Sequence, residues 1–469
     1  MKNFRTSLSK INWADLLFHL ASVLVLLTPV ISNGYPLLYT DSGTYLVSGH
    51  TLHVPVDRPI IYGLFVRHIS LSWSVFLVAI AQAVMMVFLI NRIWLEVVGS
   101  FKNSARSGFI ICSLMALLSG LDFYISMIIP DIFTSAIVLS SFLLLFGSMN
   151  NKTTVFFTAL IFAFSLIAHL SHLPMILGLF GLVGMFHLIK RHFKAYLKRY
   201  LLIFSLIVLS LFSLSLINYS LGFGFQLSRT KNVFLAARLI NSGIANDYLK
   251  EACENTKQLP YGELCKYVDQ FDNWPNTGLF LFDTSSPLYD GDCNYKRKWD
   301  NCWTDKDEAY GSLVRDILSD QKYFWRYAEI AITGTFEQLF NFGHTHLDKS
   351  ELDRIIKRSF NDDWDFFYGA MQDRAGIAFN IQSLLEKWLV IISIIVIIYI
   401  MIFNRQILNR PSIQLITIVF LAILLNAFVC SAFSNVVDRY QGRLIFTIPL
   451  ISFLLIALAS RQSVEKSQD

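Results

Sequence analysis

The stretch Tyr35-Pro36-Leu37-Leu38-Tyr39-Thr40-Asp41-Ser42-Gly43-Thr44-Tyr45 directly follows the first long apolar segment of the chain. It places one carboxylate, Asp41, just beyond a segment long enough to cross a membrane. Desolvating a charge there costs free energy, so an acidic residue at this depth is a candidate functional group. Asp-Ser-Gly is also ordinary turn chemistry, because Asp accepts backbone N–H bonds and Gly adopts positive φ. The stretch alone favours the turn, whereas the rest of the chain favours a functional role for Asp41.

The composition is that of a polytopic membrane protein. Of the 469 residues, 54% are hydrophobic and 16% are charged, and the mean hydropathy is +0.50, whereas a soluble domain carries roughly a quarter charged residues. The net charge of +5 does not indicate nucleic-acid binding, because the basic residues are scattered over short loops and are typical of topology signals. The first apolar segment lacks the small-residue exit of a cleaved signal peptide, which predicts a retained helix.

A helix needs about 20 mostly apolar residues to cross the hydrocarbon core. On that rule we predict an all-α protein with about ten transmembrane helices and both termini in the cytoplasm, where basic residues such as Lys2, Arg5 and Lys10 concentrate. The predicted spans are, approximately, Trp13–Ile31, Leu71–Trp94, Ser107–Ile125, Pro130–Ser148, Thr154–Ala168, Pro174–Ile189, Tyr200–Tyr219, Lys387–Phe403, Pro411–Val429 and Leu444–Ser460.

Three regions follow from this pattern. Residues 1–220 form an N-terminal transmembrane core that includes the first outer loop, and residues 387–469 contribute the last membrane helices. Between them, residues 221–386 lose the hydropathy and predict an α-rich extracytoplasmic insert. Within the insert, apolar residues recur at roughly helical spacing from Asp305 to Phe340, which predicts a helix lying on the outer end of the membrane bundle.

Four of the six cysteines, Cys253, Cys265, Cys293 and Cys302, lie in the insert as two close pairs. Disulfides persist in oxidising compartments, so we predict the bridges Cys253–Cys265 and Cys293–Cys302. Four cysteines allow three connectivities, and proximity in sequence is the only basis for this choice. A zinc site is the alternative, but no C-x-x-C spacing supports it.

Outward-facing short loops are expected to be poor in arginine, yet Arg58 lies in the first loop and Arg439 and Arg443 lie in the last. An interfacial arginine often snorkels to the headgroups, and Arg439 has two nearby candidates for an ion pair, Asp438 and Asp57. A planar, permanently charged guanidinium also suits phosphate oxygens. We therefore predict substrate-binding roles for the three arginines and for Tyr440, at a site for a lipid-linked phosphate.

Asp131 and two histidines complete the candidate site. Asp131 follows Pro130 at the start of a predicted helix, where capping of backbone N–H groups is the simplest role and a second role facing Asp41 remains open. His169 and His172 are three residues apart at a predicted outer turn. Two histidines without a definite third ligand are a weak metal signal. Interfacial hydrogen bonding, or hydrogen bonding to a sugar or phosphate, is favoured.

Together these residues resemble the GT-C superfamily of polytopic glycosyltransferases. The likeness rests on Asp41 in Tyr-Thr-Asp-Ser-Gly-Thr-Tyr, Asp131 in Ile-Pro-Asp, and Arg439, Tyr440 and Arg443 near the last helix. It covers roughly the first half of the chain and the last two spans. The chain departs from better-known branches because it lacks an Asp-Glu pair in the first loop and a Trp-Trp-Asp motif in its soluble part, and it looks nearest to bacterial enzymes that decorate surface polysaccharide or lipid.

The resemblance implies a polyprenyl-phosphate-linked sugar as donor, a glycan or lipid as acceptor, and an inverting reaction at the outer surface of the bacterial inner membrane. In such a reaction Asp41 is the catalytic base and arginines stabilise the leaving phosphate. A divalent metal is compatible with the resemblance but not required.

The alternative functions are a polysaccharide polymerase or ligase, a membrane transporter, and a receptor-like or scaffolding protein. Transporters often show repeats and broken midplane helices, and neither is evident here.

Overall fold

In the computed structural model of the chain, the structure describes residues 12–99, 104–254, 259–272, 274, 276–290, 295–344, 347–349, 352–372 and 376–466. These residues form helices joined by turns and short extended segments, with no strand among them beyond a single isolated bridge between Leu37 and Met127. The predicted all-α class is therefore confirmed for the described part of the chain. Lys2, Arg5, Lys10 and Cys293 lie outside it.

The N-terminal half consists of eleven helices within the described ranges. They are α1 (Trp13–Leu26), α2 (Thr28–Asn33), α3 (Thr40–Thr51), α4 (Ile61–Ser70), α5 (Phe76–Val97), α6 (Ser104–Leu118), α7 (Leu121–Ser126), α8 (Ile132–Phe146), α9 (Lys152–Ala168), α10 (His172–Ile189) and α11 (Phe193–Ser220).

The remaining α-helices alternate between short elements and long ones. They are α12 (Val233–Asn241), α13 (Ile244–Glu254), α14 (Val268–Phe271), α15 (Thr277–Phe282), α16 (Tyr295–Ser319), α17 (Gln321–Phe340), α18 (Asp353–Ser359), α19 (Trp364–Gly369), α20 (Gly376–Phe403), α21 (Arg410–Phe433), α22 (Asp438–Ile445) and α23 (Thr447–Lys466). Short 3₁₀ turns at Gly262–Tyr267, Pro287–Tyr289, Asn361–Asp363 and Arg405–Ile407 join some of them.

Six helices among the described residues are long and apolar enough to cross a membrane, against the ten predicted. They are Phe76–Val97, His172–Ile189, Phe193–Ser220, Ile381–Phe403, Arg410–Phe433 and Asp438–Ser463. Four other apolar helices, α1, α6, α8 and α9, have only 10–17 residues. The difference arises because two predicted spans are broken and two others correspond to single helices of 15 and 17 residues. The first predicted span, for example, is divided at Leu27 into α1 and α2, where Pro29 lies in the first turn of α2.

Two large apolar cores organise the described residues, beside a small cluster around Ile61, Ile167 and Leu214. The larger core joins the membrane helices and also includes Leu352, Ile356, Phe360 and Phe367 from the end of the 221–386 segment. The smaller core is formed mainly by residues between 233 and 323, and it includes Trp303, which is completely buried. The predicted insert thus divides in the structure into a part with its own core and a later part that packs on the membrane bundle.

The predicted Cys253–Cys265 disulfide is present, with a Cα–Cα distance of 5.9 Å. This bridge removes two of the four cysteines that the zinc alternative required. Cys302 is completely buried in the smaller core. Its predicted partner, Cys293, lies outside the described residues.

The segment between the first two predicted spans, which is the predicted first outer loop, is largely helical, because α3 and α4 occupy much of it. Ser42 stabilises the start of α3, because its hydroxyl accepts a hydrogen bond from the Tyr39 backbone N–H at 3.0 Å. Asp41 therefore lies in the first turn of a helix rather than in an isolated turn. The two helices pack backbone to backbone at Gly49 and Gly63, where a Cβ atom on either residue would collide with the other helix. This close approach holds α3 against the bundle.

Candidate functional site

Three aspartates and three arginines from distant parts of the chain meet at the end of the bundle that carries the insert. Asp41 lies in the first turn of α3, which favours its negative charge because the helix dipole is positive there. Asp131 directly precedes α8. Arg439 and Arg443 are four residues apart in α22 and therefore project from the same helix face.

Asp41 forms ion pairs with arginines on both sides. Arg58 Nη1 lies 3.1 Å from Asp41 Oδ1, and Arg439 Nη1 lies 3.1 Å from Asp41 Oδ2. The Asp41 side chain is 27% exposed, whereas that of Asp131 is 4% exposed. Asp41 is thus a paired carboxylate that solvent or a ligand can still reach.

Asp131 is more deeply buried and is paired with both arginines of α22. Arg443 Nη1 donates to Asp131 Oδ1 at 3.0 Å, and Arg439 Nε lies 3.4 Å from Asp131 Oδ2. The capping role considered for Asp131 is not observed, since its side chain makes no capping hydrogen bond to α8. Arg439 consequently bridges Asp41 and Asp131 and links the first outer loop to α8.

The side chains around the arginines explain how they remain in the interior. The guanidinium carbon of Arg439 lies 4.5 Å from the centre of the Tyr39 ring and 5.5 Å from that of Tyr440, and Arg443 lies 5.3 Å from the Tyr440 ring. Arg58 lies 5.2 Å from the Tyr45 ring. Stacking of a guanidinium on an aromatic face is favourable because the ring carries negative charge above its plane.

The alternative in which Arg439 pairs with Asp438 or Asp57 is not observed, and both acids have other contacts. Asp57 Oδ2 accepts from Arg58 Nε at 2.7 Å and Nη2 at 2.5 Å. Asp438 Oδ1 accepts from the backbone N–H of Arg439 at 2.7 Å. Snorkelling is also wrong for these arginines, since the Arg58, Arg439 and Arg443 side chains are 13%, 11% and 1% exposed.

The ion pairs set the protonation state of Asp41. Burial raises the pKa of Asp41, but the charges of Arg58 and Arg439 and their hydrogen bonds outweigh burial and lower it from 3.8 to about 2. The cluster contains three aspartates and three arginines. A carboxylate in this environment is a weak base for as long as both arginines remain with it.

His172 lies beside the cluster, and both of its ring nitrogens make hydrogen bonds within the protein. Its Nε2 lies 2.8 Å from Thr134 Oγ1, and its Nδ1 lies 2.6 Å from the Ser165 carbonyl oxygen. His169 Nδ1 accepts from the Ser171 backbone N–H at 3.2 Å, and the two histidine rings are 5.5 Å apart. Burial, and next the charge of Arg443, lower the pKa of His169. Its Nδ1 therefore accepts the Ser171 hydrogen bond as part of a neutral imidazole.

The site offers no evident set of metal ligands. In the part of the chain that the structure describes, no group of three His, Cys, Asp or Glu side chains is arranged to hold a metal ion. The chemistry of the cluster is instead that of arginines facing carboxylates. Planar guanidinium groups of this kind also bind phosphate oxygens.

Sequence reasoning missed Asn426 and Gln441, and it considered Asp57 only as a partner of Arg439. Asp57 holds Arg58 from the side opposite Asp41. Asn426 Oδ1 accepts from Arg443 Nη2 at 3.2 Å, and its amide donates to Gln441 Oε1 at 2.9 Å. A polar Asn426 in the middle of the apolar α21 was the available signal, since amides in membrane helices are costly unless they are paired.

Comparison of the chain with protein-family models, characterised proteins and solved structures gave no match.

Proposed function

We propose that this chain is a glycosyltransferase that moves a sugar from a polyprenyl-phosphate donor to a surface glycan or lipid acceptor. The observation that supports the proposal is the convergence of Arg58, Arg439 and Arg443 on two carboxylates, one of them 27% exposed. A purely structural ion-pair network gains little by leaving Asp41 accessible. An enzyme whose catalytic carboxylate must contact a substrate hydroxyl requires that accessibility.

The proposed topology completes ten spans. The four shorter apolar helices would cross the membrane together with their neighbours, as α1 and α2 jointly supply the approximately 20 residues that a crossing needs. Both termini would then be cytoplasmic, and the insert would lie outside the bacterial inner membrane. The Cys253–Cys265 disulfide supports an oxidising environment for the insert.

The arginines are the proposed donor-binding groups. A phosphate adds negative charge, and guanidinium groups bind it through paired, charge-assisted hydrogen bonds. Arg58 and Arg439, with side chains 13% and 11% exposed, are more accessible than Arg443 at 1%. We therefore assign the direct phosphate contacts to Arg58 and Arg439, with Arg443 holding Asp131 and α22 in place.

Asp41 is the proposed general base. The acceptor oxygen attacks the anomeric carbon of the donor sugar, its proton passes to the Asp41 carboxylate, and the bond between the anomeric carbon and the phosphate oxygen breaks. The bonding electrons leave with the phosphate, whose increased negative charge the arginines stabilise. The sugar is thereby transferred, and no oxidant or reductant is needed.

The ion pairs of Asp41 connect the two roles. While Arg58 and Arg439 both contact Asp41 at 3.1 Å, its proton affinity is too low for efficient base catalysis. Donor phosphate competes with Asp41 for the same guanidinium groups. Binding of the donor weakens the arginine contacts of Asp41 and raises its pKa, because the nearby positive charge is then partly neutralised.

Surface glycans of cells that carry either the wild type or Asp41→Asn as their only copy test this function. Mass spectrometry should show one sugar increment missing in the variant alone, with expression and membrane insertion equal in both strains. Asp269→Asn, an exposed insert residue, is the charge-matched control and should retain the increment.

The same comparison separates the alternatives. A change in glycan chain length without loss of a sugar type would favour a polymerase or ligase. Unchanged glycans in Asp41→Asn would refute the proposed role of Asp41. If glycans are also unchanged when the whole chain is deleted, the glycosyltransferase function itself is wrong, and transport assays become the next step.

A further inference from the structure

Helix α17 carries two chemically different faces. The face toward the protein contains Tyr323, Ala331, Gly334, Thr335 and Gln338, all of them buried. The opposite face exposes large apolar side chains spaced by seven, four and four residues, which places them on one stripe of the helix. They are Trp325, Ile332, Phe336 and Phe340, with exposed fractions of 63%, 53%, 61% and 79%.

The helix also joins the two apolar cores. Near its start, Tyr323 belongs to the smaller core and Tyr327 and Ile330 pack against that core. At its other end, Leu339 and the following Phe342 pack against the larger core of the membrane helices. The helix also becomes less charged towards its C-terminal end. Lys322, Arg326 and Glu329 lie in the first half, whereas Glu337 is the single charged residue from 331 to 340.

Helix α17 is held directly against the end of the transmembrane candidate α21. Tyr327 Oη donates to the Ala432 carbonyl oxygen at 2.8 Å, and Ser431 Oγ donates to the Ala331 carbonyl oxygen at 3.2 Å. Gly334 approaches Ser431 so closely that no Cβ atom would fit between the helices. The second half of α17 therefore lies beside a helix that is itself apolar enough to cross a membrane.

The neighbouring membrane helix also exposes large apolar side chains. On α21, Leu424, Phe428 and Phe433 have exposed fractions of 45%, 41% and 45%. Beyond Phe340 the chain enters the bundle, where the His344 ring stacks on Phe123 at 4.4 Å. The stripe thus runs from Trp325 in the charged first half of α17 to Phe340, next to residues that pack on the larger core.

We propose that the apolar stripe in the second half of α17, formed by Ile332, Phe336 and Phe340, lies in the acyl chains of the membrane leaflet nearer the insert. Three large apolar side chains exposed to water are unfavourable in proportion to their apolar area, and contact with lipid acyl chains removes that cost. Trp325 then lies near the headgroups, where tryptophan is favoured. The helix fastens the insert to the membrane next to Val437, whose carbonyl accepts from Gln338 at 2.8 Å.

Spin-label accessibility in vesicles tests the embedding independently of any enzyme activity. Phe336→Cys and Phe340→Cys replace exposed side chains, so both variants should fold. Cys112 and Cys430 are buried, and labelling of the unsubstituted chain measures their background. Phe282→Cys is the matched control, because Phe282 is 49% exposed and packs against Trp303 of the smaller core.

In phosphatidylcholine–phosphatidylglycerol vesicles, labels at 336 and 340 should collide several-fold more often with oxygen than with a water-soluble nickel chelate. The label at 282 should show the reverse order. If 336 and 340 instead follow 282, the helix faces water and the proposal is wrong. If the labels at 336 and 340 collide with neither reagent, protein covers the stripe, as in a dimer, and the proposal is equally overturned.

Discussion

Arg439 and Asp41 are 398 residues apart in the sequence, yet Arg439 Nη1 donates to Asp41 Oδ2 at 3.1 Å. The same guanidinium group lies 3.4 Å from Asp131 through its Nε atom. One side chain of α22 therefore connects the first outer loop with the start of α8.

Removing Arg443 should strongly destabilise the bundle. Arg443→Ala removes the closer of the two arginines that pair with the buried Asp131, and breaking a buried ion pair costs about 3–5 kcal/mol. Thermal denaturation in detergent should show a large loss for Arg443→Ala and little change for Arg354→Ala, whose arginine is exposed on α18. The double variant Asp131→Asn with Arg443→Met should recover part of the loss. Equal damage in the double and single variants would contradict this account.

The stability contributed by Asp41 should depend on pH only in acid. Its pKa is lowered from 3.8 to about 2, so its ionised form contributes about 2 kcal/mol above pH 4. That contribution is lost as the pH falls through the folded-state pKa, because both folded and unfolded forms then bind the proton. The difference in stability between wild type and Asp41→Asn should therefore be constant from pH 8 to 5 and shrink below pH 4. A decline between pH 7 and 5 would mean that the two ion pairs do not form.

Replacing Arg439 with lysine should weaken donor use more than folding. Lysine keeps the charge but loses the planar fork and the stacking on Tyr39 at 4.5 Å. Loss of one charge-assisted hydrogen bond costs about 1.5–3 kcal/mol, or roughly ten- to hundredfold in kcat/KM for the donor. Steady-state kinetics with a polyprenyl-phosphate sugar measures the effect, and Arg354→Lys serves as control. An unchanged kcat/KM would remove Arg439 from the donor site.

Gly49→Ala should displace α3 from α4. The added methyl group would meet the Gly63 backbone, and overpacking of this kind typically costs about 1–3 kcal/mol. Since α3 carries Asp41, sugar transfer should fall together with thermal stability. Gly181→Ala is the control, because nothing lies within 4 Å of its new methyl group and alanine favours a helix interior. Wild-type behaviour of Gly49→Ala would show that the two helices have room to separate.

Loss of the Cys253–Cys265 bridge should destabilise the smaller core. The two cysteines are 12 residues apart, and closing a loop of that size contributes about 3 kcal/mol in the chain-entropy account. Unfolding of the double variant Cys253→Ser, Cys265→Ser should be followed by tryptophan fluorescence, since Trp303 is buried in that core. The midpoint should decrease relative to wild type. An unchanged midpoint would mean that the bridge does not hold the native insert together.

The sequence by itself determined the helical class, the membrane-like hydropathy and one disulfide. Those properties depend on composition and local pattern, such as about 20 apolar residues in a row or two cysteines 12 residues apart. The sequence also singled out Asp41, Arg58, Asp131, Arg439 and Arg443 because charges near a membrane are costly. Local patterns did not reveal the break between α1 and α2, which makes the first apolar segment two helices.

Only the tertiary structure decided which charge pairs with which. Asp438 is next to Arg439 in sequence, yet Arg439 contacts Asp41 and Asp131 instead. These contacts form because α22 packs against α8 and the start of α3 lies within reach of Arg439. The same packing leaves Asn426 facing Arg443 and the apolar stripe of α17 unburied by protein. Electrostatic pairing depends on distance in space and on burial, and neither quantity is local in the sequence.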